Sequence, residues 1–171
     1  MKDFTKTAIK RIEALAKAKG FDKLSYFTAP DKEHRNYYVS DERTGLTHIL
    51  LSDLSIATID TEDYVKYNLG ENTWYQDSSH RTNRKGKFGY VSTQLGNVEW
   101  FGEYRKLVNV RLAKVVTDTL NSGHAQEVDH RNGNTLDNRK INLRACTRKV
   151  NANNTYPYED VPAISYPWDA E

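Results

Sequence analysis

Four polar side chains near the end of the chain have the types and the spacing that hydrolytic chemistry needs. Asp129 and His130 are adjacent, Asn142 follows twelve residues after the histidine, and Asn151 follows nine residues later. An imidazole can take a proton from water near neutral pH. Carboxylate and amide oxygens are hard donors that suit a divalent cation such as Mg²⁺, which keeps water in part of its coordination shell. The residue types therefore suit a general base beside a metal ion.

The local sequence predicts a strand, a turn and a helix around these side chains. Residues 127–130 can end a strand, and Asn132-Gly133 is a strong turn signal because both residues tolerate a positive φ. Thr147 can cap a helix that includes Asn151, which then lies one turn into that helix. A strand pair followed by a helix is therefore expected.

The stretch from Val128 to Asn154 resembles the active-site motif of the HNH endonucleases, in the variant that ends with Asn instead of His. Several features fall together at the spacing of that family: the Asp129-His130 pair, the turn, the run Leu136-Asp137-Asn138-Arg139, Asn142-Leu143, Cys146-Thr147 and Asn151. The family shares a ββα-metal fold and cuts phosphodiester bonds in DNA with a divalent metal ion. An EF-hand interpretation fails, because Arg131 and Gly133 stand where that loop needs oxygen ligands.

The resemblance implies a role for each of these residues. His130 is expected to be the general base, and Asp129 and Asn151 to hold one Mg²⁺ or Mn²⁺ ion per active site. Asn142 is expected to brace the loop and to fix the histidine by hydrogen bonds. Asn154 lies on the same helical face as Asn151 and is the alternative metal ligand. The resemblance also implies products with 5′-phosphate and 3′-hydroxyl ends.

Positive charge is concentrated around the motif. The formal net charge is +2, yet residues 81–150 carry 14 Lys/Arg against 6 Asp/Glu, while residues 1–80 carry 11 against 13 and residues 151–171 carry none against 4. Proteins gain non-specific affinity for DNA by neutralising phosphates, so double-stranded DNA is the expected partner. An ordinary solvated basic surface is the alternative.

Two groups of cations are candidate DNA contacts. A polar loop beside a predicted hairpin would contact the DNA backbone through Arg81, Arg84, Lys85 and Lys87. Alternatively, this loop is a solvated connection. Three arginines within the motif could steady the scissile phosphate, namely Arg131, Arg144 and Arg148.

The pattern of elements predicts an α+β fold, in which an N-terminal helix and a small antiparallel sheet region precede the ββα-metal module. We divide the 171 residues into four segments. They are an N-terminal helix and hairpin of unknown role (1–47), a sheet region expected to contact DNA (48–104), the nuclease module (105–155) and an acidic tail rich in Pro and aromatic residues (156–171).

Periodicity predicts the individual elements. A helix is expected over residues 4–19 with a stop at Gly20, two strands at 37–39 and 47–51, and a helix start at 60–63. A hairpin is expected around Gly96-Asn97, followed by a helix over 105–119.

Residues 52–116 loosely resemble the region before the motif in phage-type HNH homing endonucleases. Those relatives usually carry a His before an Arg-Leu pair of a helix, whereas this chain has Val110 before Arg111-Leu112. The tail is expected to lie on its own domain or to be disordered; alternatively, it covers the basic surface until DNA displaces it.

The remaining composition excludes several classes of protein. The single cysteine, Cys146, excludes a disulfide framework and a cysteine-rich zinc site. No apolar run reaches membrane-spanning length, and the N-terminus does not resemble a signal peptide. We therefore expect a cytoplasmic protein with no membrane partner.

Some alternatives stay open at the level of sequence. The chain could be a sequence-specific DNA-binding protein with a vestigial HNH centre, or a nuclease that acts on RNA, since this mechanism does not need a 2′-hydroxyl. A monomer would nick one strand and a homodimer would cut both. Homing is one of several biological settings that fit the motif.

Overall fold

A computed structural model gives the fold of the chain, which divides into two compact units. One unit comprises Met1–Trp74 with Ile164–Glu171, and the other comprises Tyr75–Ala163. Both units combine antiparallel strands with helices, so the α+β class is confirmed. The structure describes residues 4–31, 35–77, 89–100, 103–120, 126–152 and 161–170.

The first unit is built on a three-stranded antiparallel sheet in the order β1-β2-β3. Its described elements are α1 (Phe4–Ala18), β1 (Tyr37–Asp41), β2 (Leu46–Leu50), β3 (Ile56–Asp60) and α2 (Thr61–Lys66). Helix α1 ends before Gly20, which has φ +65°, a conformation that glycine adopts without strain. The apolar face of α1 packs against a core that contains Phe27, Tyr37 and Leu50.

The sequence predicted α1, the β1–β2 hairpin and the start of α2, and these elements are confirmed. Strand β3 was not predicted. It pairs with β2 along its whole length, from Leu46↔Asp60 to Leu50↔Ile56. Because β1 pairs on one side and β3 on the other, β2 is the central strand, and all of its residues are buried. It therefore lacks the polar–apolar alternation that marks a half-exposed strand.

The tail contributes to the first unit. Trp168 packs against the core cluster around Phe27, with the two ring centroids 5.9 Å apart. Tyr166 and Trp168 stack on each other at 4.9 Å, and both face the buried His48 ring, at 5.0 and 6.3 Å. The tail was expected to lie on its own domain or to be disordered, and the first of these is confirmed for residues 164–170, which complete the packing of this unit.

The second unit contains a three-stranded sheet, β4-β5-β6, and a separate two-stranded hairpin, β7-β8. Its described elements are β4 (Tyr75–Gln76), β5 (Val91–Trp100), β6 (Glu103–Arg111), α3 (Leu112–Val116), β7 (Glu127–His130), β8 (Leu143–Cys146) and α4 (Arg148–Ala152). Helix α4 packs against β7.

Two predictions about this unit were wrong. The hairpin does not turn at Gly96-Asn97, because β5 runs unbroken from Val91 to Trp100 and pairs with β6 from Ser92↔Arg111 to Trp100↔Glu103. Residues 105–111 are not helical, and the helix covers only 112–116. The buried Val108 and Val110 flank the exposed Asn109, which is the two-residue period of a strand.

The motif region has the local structure that the sequence predicted. Strand β7 ends at His130, Gly133 has φ +73° in the turn that follows, and α4 begins directly after Thr147. The Thr147 hydroxyl accepts a hydrogen bond from the Val150 amide at 3.3 Å, as expected for a cap.

Within the part of the chain that the structure describes, no helix has the length and apolar character needed to cross a membrane.

Candidate functional site

The β7–β8 hairpin positions Asp129 and His130 on opposite faces. Asp129 pairs with Arg144 and His130 with Leu143 across the antiparallel ladder. Neighbouring side chains of a strand point to opposite sides. The predicted metal ligand and the predicted base are therefore adjacent in sequence but have different surroundings.

Asp129 lies on the face of the hairpin next to α4. Its side chain is 1% exposed, and its Oδ2 accepts a hydrogen bond from the Arg144 guanidinium at 2.8 Å. Cys146 shares this face, because it stands two residues after Arg144. Burial is the main cause that raises the pKa of the Cys146 thiol, and the Asp129 carboxylate raises that pKa further.

Asn151 lies near the same face. It is partly buried within α4, and its backbone amide donates a hydrogen bond to Thr147 at 3.0 Å. The Asn151 amide also lies close enough to the Cys146 thiol to lower its pKa by hydrogen bonding, against the larger effect of burial. The carboxylate of one predicted metal ligand, Asp129, and the backbone amide of the other, Asn151, therefore both lie near the Cys146 thiol.

The oxygen donors on this face are of the type that a hard cation prefers. Among the described residues no three His, Cys, Asp or Glu side chains form a group that could hold a metal ion. A cation here would take the Asp129 carboxylate and the Asn151 amide oxygen and complete its shell with water and substrate, as Mg²⁺ prefers. Because Arg144 already binds Asp129 Oδ2, the cation would share that carboxylate with the guanidinium or displace it.

His130 lies on the other face in a confined polar environment. The residue is 4% exposed. Its Nε2 lies 3.3 Å from Asn138 Oδ1, and the Tyr90 ring is 5.9 Å away, centroid to centroid. Burial lowers the pKa of His130, although the Asn138 hydrogen bond and the nearby Asp137 and Asp129 carboxylates partly oppose that effect.

Asn142 braces the loop that follows β7, as the resemblance implied. The side chain is fully buried. Its Oδ1 accepts a hydrogen bond from the Asn132 amide at 2.8 Å, and its Nδ2 donates to the Asp137 carbonyl at 2.8 Å. The hydrogen-bond partner of the His130 ring is Asn138, whose Oδ1 lies 3.3 Å from His130 Nε2.

A buried ion pair holds the centre of this loop. Arg139 donates to both carboxylate oxygens of Asp137, at 2.8 and 2.7 Å, and also to the Pro162 carbonyl at 2.6 Å. Asn132 donates to the same carboxylate at 2.9 Å. The two charged side chains are 0% and 7% exposed. A buried pair that is fully hydrogen-bonded fixes the geometry of the groups around it.

The predicted DNA contacts divide into three cases. Arg131 donates from Nη1 to the Ile141 carbonyl at 3.2 Å, and Arg144 binds Asp129. Arg148 is exposed at the start of α4. The remaining predicted contacts and the alternative ligand Asn154 lie outside the described residues; those contacts are Arg81, Arg84, Lys85 and Lys87.

Sequence reasoning missed the residues that enclose His130. Tyr90 covers the histidine ring, and the Arg111 guanidinium lies 4.1 Å from the centroid of the Tyr90 ring. Thr135 Oγ1 donates to the Gly89 carbonyl at 3.0 Å, which joins the motif loop to the segment before β5. No local pattern marks Tyr90, whereas Asn138 stood within the run that matched the family spacing.

Comparison with models of known protein families finds no match. Searches against curated proteins and solved structures likewise find no significant similarity.

Proposed function

We propose that this protein is a metal-dependent DNA endonuclease of the HNH type. One observation carries the proposal: a single strand–strand–helix unit holds a buried carboxylate, a buried imidazole and an amide-bearing residue at the spacing of that family. These residues are Asp129, His130 and Asn151, and Asn142 braces the loop between the strands. Within about 25 residues, this arrangement provides a base and oxygen ligands for a hard cation.

His130 is the general base in this proposal. Because burial lowers its pKa, the ring is neutral at pH 7 and has a lone pair for the proton of the attacking water. The attack joins the water oxygen to phosphorus and breaks the bond between phosphorus and the 3′ oxygen, which takes a proton from solvent, so the ends carry a 5′-phosphate and a 3′-hydroxyl.

Asp129 and Asn151 would hold the divalent ion. When bound, that ion supplies Lewis-acid stabilisation of the negative charge on the leaving oxygen. Because Asp129 and His130 point to opposite faces, the scissile phosphate would lie at the end of β7, where both can reach it. Arg144 binds Asp129 and is 38% exposed at its side chain, so its guanidinium can contact that phosphate.

Charge supports DNA as the substrate. Residues 81–150 contain 14 Lys/Arg against 6 Asp/Glu, and such an excess favours a polyanion. Replacing Arg81, Arg84, Lys85 and Lys87 with Ala should flatten the dependence of DNA binding on salt, because each lost phosphate contact lowers the slope by about 0.9. An unchanged slope would count against those four contacts.

A second candidate function has one observation in its favour. His130 is 4% exposed and lies under Tyr90, whereas a working base must reach a water molecule next to the substrate. A chain whose histidine stays covered would be a DNA-binding protein with an unused nuclease centre.

One experiment separates these possibilities. The full chain is incubated with supercoiled plasmid and with a structured RNA, each in Mg²⁺ and in EDTA. We expect plasmid cleavage in Mg²⁺ and none in EDTA. Binding without cleavage would favour the DNA-binding alternative, and cleavage of RNA alone would overturn DNA as the substrate.

A further inference from the structure

Asn138 has a fixed amide orientation in the loop between β7 and β8. The residue is 1% exposed, and its Nδ2 donates to the Thr135 backbone carbonyl at 3.2 Å. A carbonyl oxygen can only accept a hydrogen bond, so the amide nitrogen must face Thr135. The amide oxygen is thereby directed to the other side, where it lies 3.3 Å from His130 Nε2.

This orientation decides which ring nitrogen of His130 carries the proton. An amide oxygen can only accept, so the Nε2 that faces it must be the donor. A neutral imidazole has one N–H and one lone pair, which leaves the lone pair on Nδ1. The two nitrogens therefore have different chemical roles.

The partners of Asn138 are themselves held in place. Thr135 is anchored through its hydroxyl to the Gly89 carbonyl at 3.0 Å. The next residue, Tyr90, places its ring next to His130. One short segment, Gly89-Tyr90, thus supports both the amide partner of the histidine and the ring that covers it.

We propose that Asn138 is a positioning residue that holds the His130 ring in its Nε2–H tautomer and thereby assigns the acceptance of the water proton to Nδ1. The inference rests on the proposed function for its catalytic meaning, whereas the tautomer itself is a property of the folded chain. The Asp137 carboxylate nearby does not take this role, because it is engaged by Arg139 and Asn132.

Nitrogen-15 spectra of the histidine rings test the inference. Protein labelled at histidine is recorded at a pH where the imidazole is neutral, and the His130 signals are identified by their loss in His130→Gln. In the wild type we expect a protected proton on Nε2 and well-separated shifts for the two nitrogens. A protected proton on Nδ1 would overturn the inference, however the variants fold.

Asn138→Leu removes the acceptor and keeps the branched shape and the number of heavy atoms of the side chain. We expect the two nitrogen shifts of His130 to move towards each other as both tautomers become populated. The matched control is Asn134→Ala, an exposed residue of the same loop, which should leave the His130 spectrum unchanged. A folded Asn138→Leu variant that keeps the wild-type spectrum would overturn the inference.

Cleavage by the same variants separates this inference from the proposed function. Asn138→Leu should lower the rate on the order of 10–100-fold at unchanged DNA affinity. If neither the wild type nor any variant cuts DNA, while the spectra change as expected, the proposed function fails and the tautomer assignment stands. If the wild type cuts and the spectra do not change, only the role of Asn138 fails.

Discussion

Two buried histidines, one in each unit, show how different a core residue and a candidate base are. His48 lies in the central strand β2, is fully buried and has its Nδ1 3.0 Å from the Thr58 hydroxyl. The aromatic rings of Tyr166 and Trp168 face it. The packing of an antiparallel sheet accounts for such a residue.

His130 has surroundings of another kind. It ends a strand and is followed by a loop in which four further polar side chains are buried, namely Asp137, Asn138, Arg139 and Asn142. Burying polar and charged groups is unfavourable unless they are hydrogen-bonded. Burial alone therefore does not distinguish a functional histidine from a structural one, whereas the chemistry of the neighbours does.

The largest difference should appear when each histidine is replaced by Ala. His130→Ala should lower the rate of DNA cleavage on the order of 10²–10⁴-fold while DNA binding persists. His48→Ala should act on stability, with a loss of about 2–4 kcal/mol in the free energy of unfolding of its unit. Cleavage rates, DNA affinity and denaturation curves measure these effects, and equal cleavage by His130→Ala and the wild type would break the comparison.

The buried polar loop should be sensitive to the loss of its ion pair. Arg139→Met leaves the Asp137 carboxylate buried without its cation, which should cost about 3–5 kcal/mol in unfolding free energy. The matched control is Asp31→Asn, because Asp31 pairs with Arg35 at 3.0 Å but is 72% exposed, and that change should cost at most about 1 kcal/mol. Similar losses for both variants, measured by denaturant unfolding, would show that the loop is not a buried network.

The aromatic cover of His48 should matter for stability and not for chemistry. Trp168→Ala removes a partly buried ring from the first unit and should cost about 1–3 kcal/mol. The cleavage rate of the folded variant should stay within twofold of the wild type, on the order of measurement error. A Trp168→Ala variant that is fully folded but inactive would mean that the tail takes part in function.

The smallest predicted effect is on the pH dependence of stability. Burial lowers the pKa of His130 in the folded state, while an unfolded histidine has a pKa of about 6.5. Below that pH the unfolded chain binds a proton that the folded chain does not. The stabilising contribution is therefore full above about pH 6.5 and is lost as the pH falls through the lowered pKa.

Unfolding curves of the wild type and His130→Gln between pH 7.5 and 5 isolate this contribution. The wild type should lose up to about 1.4 kcal/mol per pH unit more than the variant in that window. Parallel curves for the two proteins would contradict a lowered pKa at His130.

The two histidines also show what the sequence can predict. The placement of Asp129, His130 and Asn151 followed from local signals, namely a strand end, an Asn-Gly turn and a Thr cap, and these elements are confirmed. The role of Asn138 and the cover by Tyr90 depend on contacts between segments eight and forty residues apart. Such contacts leave no periodic signal in the chain.

The wrong predictions about the fold have the same origin. The apolar residues at 108, 112, 115 and 116 fit a helical spacing, yet pairing with β5 makes a strand of residues 103–111. That pairing is a tertiary interaction, and tertiary packing overrides local propensity. The packing of Trp168 against Phe27 is likewise a contact between the two ends of the chain.

The most direct test of the central claim is the chemistry of the ends that the full chain produces on supercoiled plasmid in Mg²⁺. We predict nicked or linear products whose breaks carry 5′-phosphate and 3′-hydroxyl groups, so that DNA ligase reseals them without prior treatment. A plasmid that stays supercoiled, or breaks that ligase cannot reseal, would contradict the proposed nuclease.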